Sequence, residues 1–172
     1  MKQKIFFIIY WIVLIILIIS IYVFKPELQY VYHRIKSAIL PGSIAENALD
    51  RSLRIYRSAD SHFYIYALVN RKKIKFLVDT GATNIFLSKK DARFLGIDLN
   101  KLIFDQRYYT ANGIALGAVY RLDLLEIGPI SIKNLDIHIS NNENSEISLL
   151  GMSVISILKS FSIDNDILII EY

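Results

Sequence analysis

Two hydropathy patterns divide the chain. From Ile5 to Phe24 no residue carries a charge and nearly every side chain is aliphatic or aromatic. From about Leu53 onward, apolar residues alternate with polar ones in short runs separated by turn-forming residues. The first pattern predicts a helix, since about 20 residues at about 1.5 Å rise span about 30 Å, the hydrocarbon thickness of a bilayer. The second predicts strands, because successive strand side chains point to opposite faces.

In the second region Leu53–Arg57 and His62–Val69 are expected as strands around a Ser58-Ala59-Asp60-Ser61 turn. Asn70-Arg71 turns tightly into Lys73–Asp79, where Ile74, Phe76 and Val78 alternate with Lys73, Lys75 and Leu77. Ile85–Leu87 resumes a strand. Ser88 then opens a short helix with Asp91 as the acid of a capping box, and Gly96 ends it. Phe104–Ile114 and Ala115–Ile127 form a hairpin with Asn112-Gly113 at its tip, because Asn-Gly favours the turn in which both central residues need positive φ. Gly128-Pro129 leads into Ile130–Ile139, then a polar loop Ser140–Ser145, Leu149-Leu150-Gly151, a short helix Met152–Lys159, and strands Phe161–Ile163 and Ile167–Glu171 around Asp164-Asn165-Asp166. The sum is an all-β domain of roughly 120 residues with one or two short helices.

The expected organisation is an N-terminal flank at 1–4, a transmembrane anchor at 5–24, a juxtamembrane tether at 25–52 and a folded domain at 53–172. Pro26 and Pro41-Gly42 interrupt the tether, leaving Tyr30–Leu40 as a short amphipathic helix. A cleaved signal peptide is the alternative for 5–24. Its apolar core would run to about 7–15 residues and end at a small-residue cleavage site. This run is longer and no A-x-A-like site follows closely, which favours an uncleaved single-pass anchor. Lys2 and Lys4 balance Lys25, Arg34 and Lys36, so charge leaves the orientation open.

Composition narrows the function. Hydrophobic residues make up 53% of the 172, in keeping with a lipid-facing surface. The absence of cysteine excludes disulfides, thiolate nucleophiles and cysteine-ligated metals. The net charge of +4 is dispersed over positions such as Arg51, Arg54, Arg57 and Lys89-Lys90, without an aromatic-interleaved basic stripe. Nucleic acid is therefore not an expected partner, whereas solvated faces near anionic lipid are. His33, His62 and His138 lie far apart with no metal-ligand spacing, and the serines lack a nucleophile-elbow context. No metal or other cofactor is expected.

The chemistry concentrates in FLVDTGATNIFLS, Phe76 to Ser88. Asp-x-Gly alone is a common turn, since Asp bonds its own backbone and Gly tolerates unusual φ. The apolar residues before Asp79 and the Ala82-Thr83 after Gly81 point further, because a carboxylate in that setting is partly desolvated. Asp79-Thr80-Gly81-Ala82 matches the aspartic-protease motif. With the Asn112-Gly113 hairpin and the Leu149-Leu150-Gly151 element in order, the chain from about residue 53 to 172 resembles the bacterial membrane-anchored retropepsin-like aspartic proteases, the single-lobe dimeric type of clan AA. An actin-like ATPase phosphate loop also carries Asp-x-Gly, but that fold needs a far longer α/β chain.

The resemblance implies a closed β-barrel lobe with catalytic Asp79, Thr80 and Gly81, and substrate contacts from Ala82 and a hairpin tip at Ala111, Asn112 and Gly113. It implies Leu149-Leu150-Gly151 packed behind the Asp79 loop, and a protein or peptide substrate. Aspartic proteases are known to use two carboxylates sharing one proton. Only one such motif occurs here, and Asp123, Asp136, Asp164 and Asp166 lack its context. The second carboxylate would be Asp79 of another copy, in a homodimer. With one N-terminal helix, the expected location is the bacterial inner membrane, on a side left open. Two positions depart from the viral pattern: Thr83 stands where an Asp is common and Met152 where an Arg is common. Dimer contacts are then expected from elsewhere, with Ile167–Tyr172 a candidate. Tyr108 and Tyr109 fit either the cleft wall or strand packing. The alternative function is a non-catalytic dimer of this fold that binds extended peptides by strand addition.

Overall fold

The computed structural model describes residues 2–47, 50–110, 113–143 and 145–172, which form two units, Met1–Ile35 and Lys36–Tyr172. Helix α1 runs over Lys2–Ile39, with Pro26 inside it. Sequence punctuation at Pro26 predicted a break, yet the helix continues. The thirteen helical residues after Pro26 include strong helix formers such as Glu27, Leu28 and Lys36, and propensity is a weak prior. Within the first unit Phe6, Trp11, Ile16 and Tyr22 are all exposed. α1 is long and apolar enough to cross a membrane.

The second unit contains, in order, the end of α1, β1 (Ile44–Asn47), β2 (Ser52–Tyr56), β3 (Tyr64–Val69), β4 (Lys72–Val78), β5 (Phe86–Leu87), α2 (Lys89–Leu95), a 3-10 turn (Leu99–Lys101), β6 (Gln106–Thr110), β7 (Gly113–Ile127), β8 (Ile130–Ser140), β9 (Ser148–Leu150), α3 (Met152–Ile155), β10 (Ser160–Asp164) and β11 (Ile167–Glu171). It begins before Leu53: Ser37 is buried and its hydroxyl donates to the Arg57 carbonyl at 3.2 Å, while β1 pairs with β2. Part of the expected tether is thus folded structure.

One sheet has the order β1-β2-β11-β10 and the other β3-β4-β9-β5-β8-β7-β6. β7 also pairs back to β3 through Leu68↔Glu126 and Val69↔Leu125, closing six strands into a barrel with β6 outside the ring. The closed, mostly β lobe is the expected one. Its interior is filled by fully buried residues including Ile65, Phe76, Ile85, Leu87, Leu122 and Leu150. Complete burial of such a side chain contributes about 1.5–3 kcal/mol each.

Local signals place the helices. Ser88 caps α2, accepting from the Asp91 amide at 3.1 Å, and Gly96 ends it at φ +88. The capping box is closed through a third residue: Ser148 Oγ accepts from the Ser88 amide at 3.1 Å and donates to Asp91 Oδ2 at 2.6 Å. This ties α2 to β9. α3 ends at Ile155 rather than Lys159; the β-branched Val154, Ile155 and Ile157 disfavour a longer helix, and β10 begins at Ser160.

The strand ends at the hairpin differ from expectation. The pair Thr110↔Gly113 leaves Ala111 and Asn112 between the strand ends, not Asn112 and Gly113. Gly113 lies in β7 at φ +105, which explains the glycine one position further on. β11 pairs with β2 on one side and β10 on the other, so neither of its edges is open, and its Leu168 and Ile170 lie in the core.

Candidate active site

Asp79 follows directly on β4, the strand that runs parallel to β9 through Leu77↔Leu149 and Val78↔Leu150. The Asp79 amide donates to the Leu150 carbonyl at 3.1 Å, which extends that pairing to the acid itself. The chain then turns: the Ala82 amide donates to the Asp79 carbonyl at 3.3 Å, and the Gly81 amide to Asp79 Oδ1 at 2.8 Å. One carboxylate oxygen is therefore held by the loop's own backbone. A β-carbon on Gly81 would lie 3.2 Å from that oxygen, which favours glycine. Gly81 is not among the positive-φ residues, so its role is close approach rather than a left-handed turn. Asp79 is half-buried, while Thr80 and Gly81 are exposed.

The far side of the loop is gripped by the start of α3. The Met152 and Ser153 amides donate to the Ala82 and Thr83 carbonyls, both at 2.8 Å, and Ser153 Oγ accepts from the Ile85 amide at 3.0 Å. A β-carbon on Gly151 would stand 2.2 Å from the Asn84 carbonyl oxygen. The Leu149-Leu150-Gly151 element thus lies directly behind the Asp79 loop. The two positions that depart from the viral pattern each take part in one of these bonds, Met152 with Ala82 and Thr83 with Ser153, and both side chains are exposed.

Register aligns one row of residues across the barrel: Leu77, Leu149, Phe86, His138 and Val119 are successive cross-strand partners. Their neighbours Phe76, Leu150, Leu87 and Ile137 are fully buried, so the row occupies the opposite, outward face. Asp79, two residues beyond Leu77, continues that face.

The β6–β7 hairpin reaches this row through Tyr108. Its hydroxyl is hydrogen-bonded to His138 Nδ1, and its ring meets Phe86 edge-on at 4.8 Å and His138 at 5.3 Å. Gly117 makes room, since a β-carbon there would lie 2.8 Å from the Tyr108 ring and 2.9 Å from the Ile139 carbonyl oxygen. Burial holds the Tyr108 phenol above its usual pKa, with the charge of Asp105 adding to the effect. Burial holds the His138 imidazole below its usual value, partly offset by Asp136.

Of the residues expected at the site, Asp79, Thr80, Gly81 and Ala82 form one loop. Gly113 begins β7, and Ala111 and Asn112 fall outside the described residues. Sequence reasoning left Tyr108 open between cleft and packing and grouped His138 with ordinary histidines. No local pattern marks their pairing, which depends on the registers of β6, β7 and β8. The polar Ser140–Ser145 loop, which had no expected role, carries Glu143, whose Oε1 accepts from Lys89 Nζ at 2.8 Å on α2.

A barrel lobe whose single Asp-Thr-Gly loop is wedged against a hydrophobic-hydrophobic-Gly element defines a class, the retropepsin-like aspartic proteases. Comparison with known proteins agrees. Residues 65–156, which contain both elements, match the family model described as gag-polyprotein putative aspartyl protease. An uncharacterized protein of Rickettsia prowazekii (strain Madrid E) is 46% identical over 162 residues, covering 94% of this chain and 69% of that protein. An uncharacterized protein from the cobV 5′ region of a Sinorhizobium species is 33% identical over 159 residues, covering 91% and 68%. The crystal structure of a retropepsin-like aspartic protease from Rickettsia conorii superposes with a TM-score of 0.65 at 47% identity, covering 70% of this chain and 90% of that one. The chain belongs to this retropepsin-like aspartic protease family.

Proposed function

We propose that this protein is a membrane-anchored aspartic endopeptidase in which Asp79 of two copies meets on a two-fold axis to form the catalytic pair. The observation that carries this reading is the Asp79 loop itself: its backbone fixes Oδ1, while Thr80 and Gly81 remain exposed on a chain with one such motif. Two carboxylates brought close cannot both ionise, so one stays protonated. The ionised member takes a proton from a water as that water attacks the amide carbon. The protonated member donates to the carbonyl oxygen, and protonation of the leaving nitrogen completes the cleavage. Thr80 braces the pair across the axis, and Ala82 contacts the substrate. The β6–β7 hairpin, with Ala111, Asn112 and Gly113 at its tip, closes over the peptide and excludes water.

Residues 5–24 anchor the chain in the bacterial inner membrane, and the catalytic domain follows, with β1 at 44–47 already part of it. The exposed apolar side chains of α1 support this, because water is a poor solvent for so continuous an apolar surface. Two anchors in one bilayer raise the effective concentration and favour pairing. Since both edges of β11 are occupied, any dimer contacts that it makes come from its partly exposed face, Ile167, Ile169 and Glu171.

The deciding experiment incubates the full-length protein in detergent with a denatured protein at mildly acid pH, beside Asp79→Asn. Cleavage by wild type alone is expected. Equal cleavage by both removes Asp79 from catalysis, and cleavage by neither across a broad pH range favours a peptide-binding dimer of the same fold.

A further inference from the structure

We infer that His138 is a positioning residue for this reaction: by holding Tyr108 it fixes the middle of the β6–β7 hairpin and so sets how readily the hairpin closes on substrate. This rests on the protease reading above. β6 lies outside the closed barrel and, among the described residues, has a strand neighbour only in β7. An edge strand held on one side is free to hinge unless a side chain clasps it elsewhere. Tyr108 makes that clasp: its ring packs on Phe86 of β5 and its hydroxyl bonds His138 of β8. Both anchor points are rigid. The His138 amide donates to the Ile85 carbonyl at 3.0 Å, and Phe86 is paired to both β8 and β9. The clasp therefore joins the β6–β7 hairpin to the strand that leaves the Asp79 loop. Gly117, where any β-carbon would collide with the Tyr108 ring, is the sequence's provision for it.

Protonation of His138 reverses the direction of this bond without breaking the clasp. With the proton on Nε2, Nδ1 accepts from the Tyr108 hydroxyl. Protonation puts a hydrogen on Nδ1 as well, so the phenol must turn to accept and its own proton loses this partner. The groups around the pair are few. Asp136, on the same strand, is itself paired to Arg121 of β7 at 2.6 Å; Asp105 precedes β6; Phe86 from β5 and Val119 from β7 are uncharged. Burial outweighs Asp136, so the bond in this orientation persists below the ordinary histidine pKa of 6.5 and is lost as the pH falls through the depressed value.

The test compares full-length wild type with Tyr108→Phe, which keeps the ring, and with His138→Gln, which keeps an acceptor but does not titrate. Backbone hydrogen exchange in 106–110 and 113–117 and the kinetics of a cleavable peptide are followed from about pH 4 to about pH 7. Tyr108→Phe is expected to speed hairpin exchange by about five-fold, leave β3 and β4 unchanged, and raise KM by a similar factor with little change in kcat. His138→Gln is expected to match wild type near neutrality, and wild type is expected to keep slow hairpin exchange at acid pH, because protonated Nδ1 then donates to the Tyr108 oxygen. Hairpin exchange in Tyr108→Phe equal to wild type overturns the inference even if cleavage proceeds normally. A wild type that cleaves nothing, with exchange altered as described, defeats the protease reading instead and leaves the clasp standing.

Discussion

Gly151 approaches Asn84 so closely that a β-carbon on it would stand 2.2 Å from the Asn84 carbonyl oxygen and 2.6 Å from that of Ala82. Both obstacles are backbone atoms of the Asp79 loop, so no side-chain rotation relieves them. Gly151→Ala is expected to push that loop away from α3, breaking the 2.8 Å bond from the Met152 amide to Ala82. Overpacking of this kind costs about 1–3 kcal/mol. The thermal midpoint should drop by several degrees, and peptide cleavage by the surviving folded protein should fall by more than ten-fold, because the loop carries the acid. Unchanged activity at a lowered midpoint would separate the loop's packing from its chemistry.

What the sequence disclosed follows from how local each cause is. The Asp79 loop announces itself because its strand, turn and glycine are contiguous, and α2 because Ser88 and Gly96 sit at its own ends. β1 was hidden: Ile44–Asn47 is a strand only because β2 lies beside it. The Tyr108–His138 contact was hidden for the same reason, since it joins residues 30 apart through three strands' registers. At Pro26 the local signal was overridden by the helix formers after it. At the hairpin Gly113 uses its positive φ as the first residue of β7, while Ala111 and Asn112 lie outside the described residues.

Ser148 joins two elements through one hydroxyl. It is fully buried, accepts from the Ser88 amide and donates to Asp91 Oδ2. Ser148→Ala leaves a buried amide without its acceptor and removes a donor from a carboxylate. The expected loss is about 1–3 kcal/mol of unfolding free energy, read from the urea midpoint. A change within experimental scatter would mean that water replaces the hydroxyl and that the α2–β9 link contributes little.

Tyr64 and Asp60 couple stability to alkaline pH. The Tyr64 hydroxyl donates to Asp60 Oδ2 at 2.6 Å, and that bond, with burial and the charge of Asp60, pushes the phenol up from 10.0 to about 12. A raised pKa in the folded state means that the unfolded chain loses its proton first. The stabilisation is complete below pH 10 and is lost as the pH climbs from about 10 to about 12. Because Asp60 is half exposed, screening limits the effect to on the order of 1 kcal/mol. Urea midpoints measured across that range should fall more steeply for wild type than for Tyr64→Phe. Parallel slopes would show that the pair does not titrate with unfolding.

The proposed shared site makes a prediction that no single-chain enzyme would satisfy. If each copy supplies one Asp79, co-reconstituting wild type with Asp79→Asn produces mixed pairs that hold only one native carboxylate. Random pairing at equal amounts leaves about a quarter of all dimers fully wild type, so activity per wild-type chain should fall to about half. Raising the excess of the variant should drive it toward zero, while Asp79→Asn carrying an unfolding mutation should do nothing. Exchange between pairs must precede the assay, because preformed wild-type dimers would mask the loss. Activity per wild-type chain that stays constant through the whole mixing series would mean that one chain hydrolyses peptides alone, with a second acid found within it.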